Sequence, residues 1–336
     1  MPVRKSLFFC APHKVEIHEE KLPAPASGHV LVETILSAIS SGTEMLVYRG
    51  QFPNMVVDTN FEGLNETFSY PLAYGYACVG RVLALGQDVS ASWLGKLVFS
   101  FQAHSSHFCE ATQALLPLPD GMSVENACFL PNMETAINLV QDAAPILGER
   151  VLVLGQGIIG LLTASLLAEF PLESLVCADL FPFRRAAALT LGASAALDPA
   201  NPEFKAQAAR FLKSGADLTL ELSGAPAALN DAIALTTFSG RIVIGSWYGE
   251  KRAPIDLGGS FHRSRIKLIA TQVSTIAPEL SARWSKSRRF EAAWQALERI
   301  RPEKWITQRF PLEQAAEAYR LLDEYPGESI QVLFQY

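Results

Sequence analysis

The chain lacks a cysteine pair at metal-binding spacing, a block of basic residues and a long charge-free apolar run, and each absence removes a class of function. Its five cysteines, Cys10, Cys78, Cys109, Cys128 and Cys177, are scattered with no CxxC pair. That spacing argues against a zinc knuckle or a disulfide framework and leaves each thiol to be read as a small buried hydrophobe or an incidental group. Charge is close to balanced, with 28 Lys and Arg against 34 Asp and Glu, a net of −6, so no nucleic-acid surface is expected. The one positive cluster, Arg283 to Arg289, reads as a solvated connection and helix start. With no apolar signal segment after Met1 and no obvious membrane span, a soluble cytoplasmic chain without a membrane partner is expected.

What is present points to a nucleotide. At 336 residues and 49% hydrophobic content, the chain exceeds one ordinary domain and can bury substantial cores. Val151 to Leu154 form an apolar run too short for a helix, and the residues after Gly157 read as helix to about Phe170. Between them stands Gly155-Gln156-Gly157-Ile158-Ile159-Gly160. Strand, tight turn and helix occur in the order a dinucleotide site requires: Gly155 for the turn, Gly157 for approach of the pyrophosphate, and Gly160 for close helix packing. The phosphates would meet the N–H groups at the helix start. A second strand, Leu175 to Asp179, places a carboxylate where it can accept hydrogen bonds from the adenosine ribose and repel a 2′-phosphate, which favours NAD(H) over NADP(H). Arg184 and Arg185 qualify that choice, since either can flank the adenosine or meet a phosphate; solvated helix-face arginines are the ordinary alternative.

Either side of this motif the chain changes texture. Before it, strand-like runs at Val30 to Leu36, Ala77 to Leu85 and Lys96 to Phe101 suggest a mainly β domain extending to about Asp120. A polar insertion between Gln51 and Tyr70 reads as a lid or pocket wall, with local disorder as the alternative. After the motif, strands at Leu218 to Leu222, Gly240 to Gly245 and Lys267 to Thr271 alternate with helices, as in a parallel sheet covered on both faces. The turns carrying Ser223 and Gly245 fall at strand ends, where such a sheet holds its ligand. A last strand at Ile330 to Phe334 closes a tail long enough to return to the first domain. The expected division is 1–125, 126–285 and 286–336.

In order along the chain, Gly28 to Val32, Tyr74-Gly75-Tyr76-Ala77 with Gly80, Pro119 to Gly121, Gly155 to Gly160, Glu221 to Gly224 and Gly240 to Gly245 make the sequence resemble the medium-chain dehydrogenase/reductase family over nearly its whole length. The resemblance implies a GroES-like mainly β catalytic domain and a Rossmann doubly wound parallel sheet, with a cleft between them and a final segment packed on the catalytic part. It also implies a homodimer or homotetramer.

The departures from the family bear on the chemistry. Zinc-dependent members place a cysteine before Gly-Thr/Ser-Asp, where this chain has Ser41-Gly42-Thr43-Glu44; they follow with Gly-His-Glu, where it has Gly75-Tyr76-Ala77. The four-cysteine zinc lobe is absent too, so zinc is not expected. Proton transfer then has to come from side chains. Tyr76 stands where the family has its histidine ligand, and Thr43 matches a residue that relays the alcohol proton in the zinc relatives. His104 and His107 lie in the loop replacing the lobe, and histidine titrates in the working range; His104, and less strongly His107, is expected to face the pocket. Their spacing also suits a metal, without a matched third ligand. Glu134 can bind substrate or fix a histidine, and Thr135 resembles the residue that touches the nicotinamide. For each there is a bland reading: space filling for Tyr76, a local hydrogen bond for Thr43, helix-start chemistry for Glu134.

Three functions compete on this reading. The first is a zinc-independent, NAD(H)-dependent oxidoreductase interconverting a small-molecule alcohol or polyol and its carbonyl, with a partial likeness to bacteriochlorophyllide hydroxyethyl dehydrogenases. The second is a zinc-independent quinone or enone reductase. The third is a cofactor-binding protein without catalysis.

Overall fold

The computed structural model describes residues 3–22, 24–52 and 69–336. Residues 53–68, the body of the expected insertion, lie outside them. The chain divides into two compact units, one made of Met1–Pro131 with Leu297–Tyr336, the other of Asn132–Ala296.

The second unit is built on six parallel strands in the order Ala195–Leu197, Ser174–Ala178, Arg150–Leu154, Ala216–Glu221, Thr236–Ile244 and Lys267–Ala270. The first of these in sequence, Arg150–Leu154, sits in the middle. Strand order therefore reverses beside it, and the reversal opens a crevice at the carboxyl ends. Val151 to Leu154 are all buried, as a strand covered on both faces requires. The helix Ile158–Leu167 is apolar nearly all round and buried on most of its surface, which suits a helix inside a layered core. Leu152, Leu154, Val176 and Ile242 from the sheet pack with Phe204, Ala208 and Leu212 from the helix Phe204–Leu212.

In the first unit a seven-stranded sheet runs Ile306–Pro311, Gln331–Gln335, His29–Ala38, Cys78–Leu85, Leu97–Ser100 and Leu116–Pro117, with His107–Ala111 also paired to His29–Ala38. The C-terminal strand lies antiparallel to Leu36–Ala38. A second sheet orders Lys14–Lys21, Val3–Ala11 and Leu72–Ala73. Leu7 and Phe9 of its central strand alternate inward and meet Val47, Tyr48, Tyr319 and Phe334 in one core. No helix among the described residues is long and apolar enough to cross a membrane.

Candidate functional site

In the second unit the glycine turn has the shape of a phosphate cradle. Gly155 adopts a positive φ of 91°, and a Cβ there would stand 2.6 Å from the backbone of Leu222 and Ser223. At Gly160 a Cβ would overlap the Gly155 carbonyl, so the helix can press on the strand only because this residue is glycine. Gly157 is the N-cap of Ile158–Leu167, and its open side holds only the tip of Arg184, Nη1 lying 3.9 Å from an added Cβ. The first N–H groups of this helix, from Ile158, Ile159 and Gly160, have no partner within the helix and face the space a pyrophosphate would take. The residues present thus fit a dinucleotide.

Asp179 stands just past the strand Ser174–Ala178 and is almost buried. Its Oδ2 accepts from the Gln156 N–H at 2.7 Å and its Oδ1 from the Phe181 N–H at 2.8 Å. Gln156 contributes backbone alone, because its buried amide turns inward to the Val153 and Gly155 carbonyls. The arginines are not the solvated groups of the ordinary reading. Arg184 leans over the Phe181 ring, 4.0 Å from the Asp179 carboxylate, and burial lowers its pKa from the usual arginine value. Arg185 folds back to donate to the Asp179 and Leu180 carbonyls.

Beside this cradle, Ser223 gives its N–H and hydroxyl to one oxygen of Glu221, and the Tyr248 hydroxyl donates to the other at 2.5 Å. Burial, then the Glu221 charge, pushes the Tyr248 phenol far up. Gly245 is closely packed by Leu139 and Leu222. Nothing in the sequence singled out Glu221 as a fully buried acid; only its place at a strand end hinted at it.

Glu134 does not present a free carboxylate. It is buried and bound by Lys286 and Arg289, and Arg289, fully buried, also donates to Asn138 Oδ1 at 2.5 Å and to the Thr275 carbonyl. The cluster expected to be a solvated helix start thus supplies the buried cation that Glu134 needs, since an unpaired buried charge would be costly. Thr135 follows on the same helix, half-buried.

The other candidates belong to the first unit. Thr43 opens the short helix Thr43–Tyr48, and Tyr76 lies just before the strand Cys78–Leu85. The Tyr76 hydroxyl bonds Ser40 Oγ and also engages the Thr43 hydroxyl. Burial raises the Tyr76 pKa, outweighing these two hydroxyls, which lower it. The phenol therefore keeps its proton at neutral pH.

His104, expected to face a pocket, is fully buried. Both ring nitrogens are engaged, Nδ1 with Ser37 Oγ at 2.6 Å and Nε2 with Glu44 Oε2 at 3.0 Å. Glu44, equally buried, also accepts from the Ser40 N–H at 2.8 Å and the Tyr319 hydroxyl at 2.5 Å. Ser37 in turn meets the Tyr336 hydroxyl at 2.8 Å. With the Nε2 proton on the Glu44 side, Nδ1 accepts from Ser37 and Ser37 from Tyr336, so His104 and Ser37 are both satisfied. His107, half-buried, bonds Ser106 Oγ and lies 4.0 Å from Glu33; burial lowers its pKa.

Residues 159–296 match the family described as zinc-binding dehydrogenase. The chain is similar to the L-threonine 3-dehydrogenase of Stenotrophomonas maltophilia, 26% identical over 68% of this chain and 72% of that one. It is 24% identical to the D-guloside 3-dehydrogenase of Escherichia coli K12 over 98% of this chain and 99% of the relative. Among solved structures, the NADH complex of a short chain alcohol dehydrogenase from Escherichia coli CFT073 shares the fold, with a TM-score of 0.79 at 20% identity over 99% of both chains.

Proposed function

We propose that this chain, an oxidoreductase of the alcohol dehydrogenase type in the medium-chain dehydrogenase/reductase family, interconverts a small alcohol or polyol and its carbonyl using NAD(H), with Tyr76 in place of a catalytic zinc. The observation that carries this reading is the hydroxyl cluster of Tyr76, Ser40 and Thr43. At the positions matching the zinc ligands, Ser41 and Tyr76 offer neutral hydroxyls rather than the thiolate and imidazole that zinc prefers. These side chains do not fit a catalytic zinc.

Bound at the glycine turn, NAD(H) supplies or accepts the hydride. The residues of the chain handle the proton. In carbonyl reduction the Tyr76 O–H hydrogen-bonds the substrate oxygen and delivers its proton as charge develops there; in alcohol oxidation the same atom receives it. Ser40 and Thr43 hydroxyls donate to the phenolate oxygen left behind. Asp179 supports NAD(H), since a 2′-phosphate would stand against its carboxylate. Arg184, between that acid and the glycine turn, is placed to offset pyrophosphate charge. A homodimer or homotetramer is the expected assembly, for which the edge strand Lys267–Ala270, largely exposed, is the proposed contact.

The test is single-turnover hydride transfer across a panel of alcohols, polyols and ketones. Tyr76→Phe should slow the chemical step by roughly 10²-fold or more while NADH affinity stays unchanged. An unaltered single-turnover rate would refute the role of Tyr76.

A further inference from the structure

On the first hairpin, Val3–Ala11 pairs with Lys14–Lys21, Phe8 opposite Glu16 and Ser6 opposite His18. The register slips between Phe9, opposite Val15, and Ala11, opposite Lys14. Cys10 is therefore the extra residue of a β-bulge, a device that re-aims a side chain. Its Sγ lies 3.5 Å from Glu16 Oε2, and His18 Nε2 lies 3.5 Å from the same oxygen. The three donor atoms all fall within 4.8 Å of one another, and this is the one such Cys, His and carboxylate grouping among the described residues.

From these positions we infer that Cys10, Glu16 and His18 bind a borderline divalent cation of the zinc class, with solvent completing the coordination. Zinc bonds of about 2.0–2.3 Å in a tetrahedron put neighbouring ligand atoms roughly 3.3–3.8 Å apart. Both contacts of Glu16 Oε2 already have that length, and the Cys10 to His18 edge is no longer than 4.8 Å. Thiolate, imidazole and carboxylate together select Zn²⁺ or Co²⁺ over Mg²⁺ or Ca²⁺.

The surroundings orient these ligands as outer groups do in metal sites. Lys14 Nζ holds the other oxygen of Glu16 at 2.6 Å, leaving Oε2 to the cluster. The Phe8 ring stacks on the His18 imidazole, centroids 4.5 Å apart and planes 19° from parallel, which fixes the ring. Glu16 is exposed and Cys10 and His18 are half-buried, so the ion has an entry path.

The site is independent of the proposed reaction, and its test uses the full chain freed of metal by a chelator. Titration with Co²⁺ should give a thiolate-to-cobalt charge-transfer band saturating at one equivalent, reversed by Zn²⁺ and untouched by Mg²⁺. Cys10→Ser should abolish the band, and Glu16→Gln and His18→Ala should each weaken Co²⁺ binding at least tenfold, with circular dichroism matching the parent. No band, a band that survives Cys10→Ser, or affinity unchanged in His18→Ala would overturn the assignment. Turnover should be the same in Cys10→Ser as in the parent, so the outcome here leaves the reading of Tyr76 standing or falling on its own measurement.

Discussion

Two of the three fingerprint glycines allow the phosphate cradle to be separated from a mere tight turn. Gly157 has φ −66° and ψ −174°, a conformation alanine adopts freely, and an added methyl would meet only the end of the Arg184 side chain at 3.9 Å. Gly157→Ala should leave folding nearly unchanged. The loss of a tolerated N-cap glycine, a few tenths of a kcal/mol to ~1 kcal/mol, is offset by the ~0.4–1 kcal/mol gained from stiffening the unfolded chain. The same methyl would occupy the face where a pyrophosphate has to approach the helix start. NADH affinity should fall tenfold or more, about 1.4 kcal/mol.

Gly160→Ala reverses the pattern. Its methyl collides with the Gly155 carbonyl, backbone that cannot rotate away, so the helix has to back off the strand. Overpacking of this kind costs ~1–3 kcal/mol, against about 1 kcal/mol of improved helix propensity. Urea unfolding and NADH fluorescence titration of the two variants measure both quantities. The reasoning fails if Gly157→Ala binds NADH as the parent does, because the phosphates would then not approach that face; it also fails if Gly160→Ala is more stable than the parent.

Other consequences follow from neighbouring groups. Asp179→Ser should improve NADP(H) binding relative to NAD(H), and paired titrations with unchanged selectivity would remove Asp179 from that role. Because the Tyr76 phenol is raised above its ordinary value near 10, reductive turnover should show no loss from this group through pH 10; a fall with a midpoint below 9 that Tyr76→Phe abolishes would contradict it. The Tyr319 phenol, fully buried, is raised further, by burial first and then by the Glu44 charge. Its stabilisation is complete below the unfolded value and is lost as pH rises beyond it, so urea midpoints should hold to about pH 10 and then decline. Arg289→Met, which leaves the buried Glu134 carboxylate with only the partly exposed Lys286, should destabilise by ~3–5 kcal/mol; a change under ~1 kcal/mol would show that Lys286 alone satisfies Glu134.

The nucleotide unit was legible because its signals are local. Gly155, Gly157, Gly160 and Asp179 lie within one strand, helix and strand, and the contact between Asp179 and Gln156 spans 23 residues. Long-range pairing was not legible. Arg289 looked like one more solvated arginine, since nothing near it in sequence reveals an acid 155 residues away. The hairpin of Val3–Ala11 and Lys14–Lys21 is hard to read from sequence because its outer face carries Lys14, Glu16 and Glu20, and Glu19 interrupts the apolar alternation of Val15 and Ile17 that pairs with Phe9 and Leu7. Cys10 passed as an incidental thiol for the same reason: its neighbours Glu16 and His18 are set by a bulge and a register that spacing along the chain does not display.

The burial of His104 bears on what surrounds Ser41 and Tyr76, the positions proposed to lack zinc ligands. The first unit is not apolar there. It keeps a carboxylate, Glu44, in the helix start beside Thr43, and satisfies it with the Ser40 N–H, His104 and Tyr319. Ser40 thus has two roles, its N–H anchored to Glu44 and its hydroxyl bonded to Tyr76. A network extending through Tyr319 and Tyr336, residues from the far end of the chain, fixes the position of the backbone on which the Tyr76 hydroxyl rests. Burying such a network is worth its desolvation only if every member finds a partner, and the bonds of Glu44, His104 and Ser37 meet that condition. On the proposed reading of Tyr76, His104 and Glu44 act on the phenol only through Ser40, whose N–H Glu44 accepts and whose hydroxyl meets Tyr76.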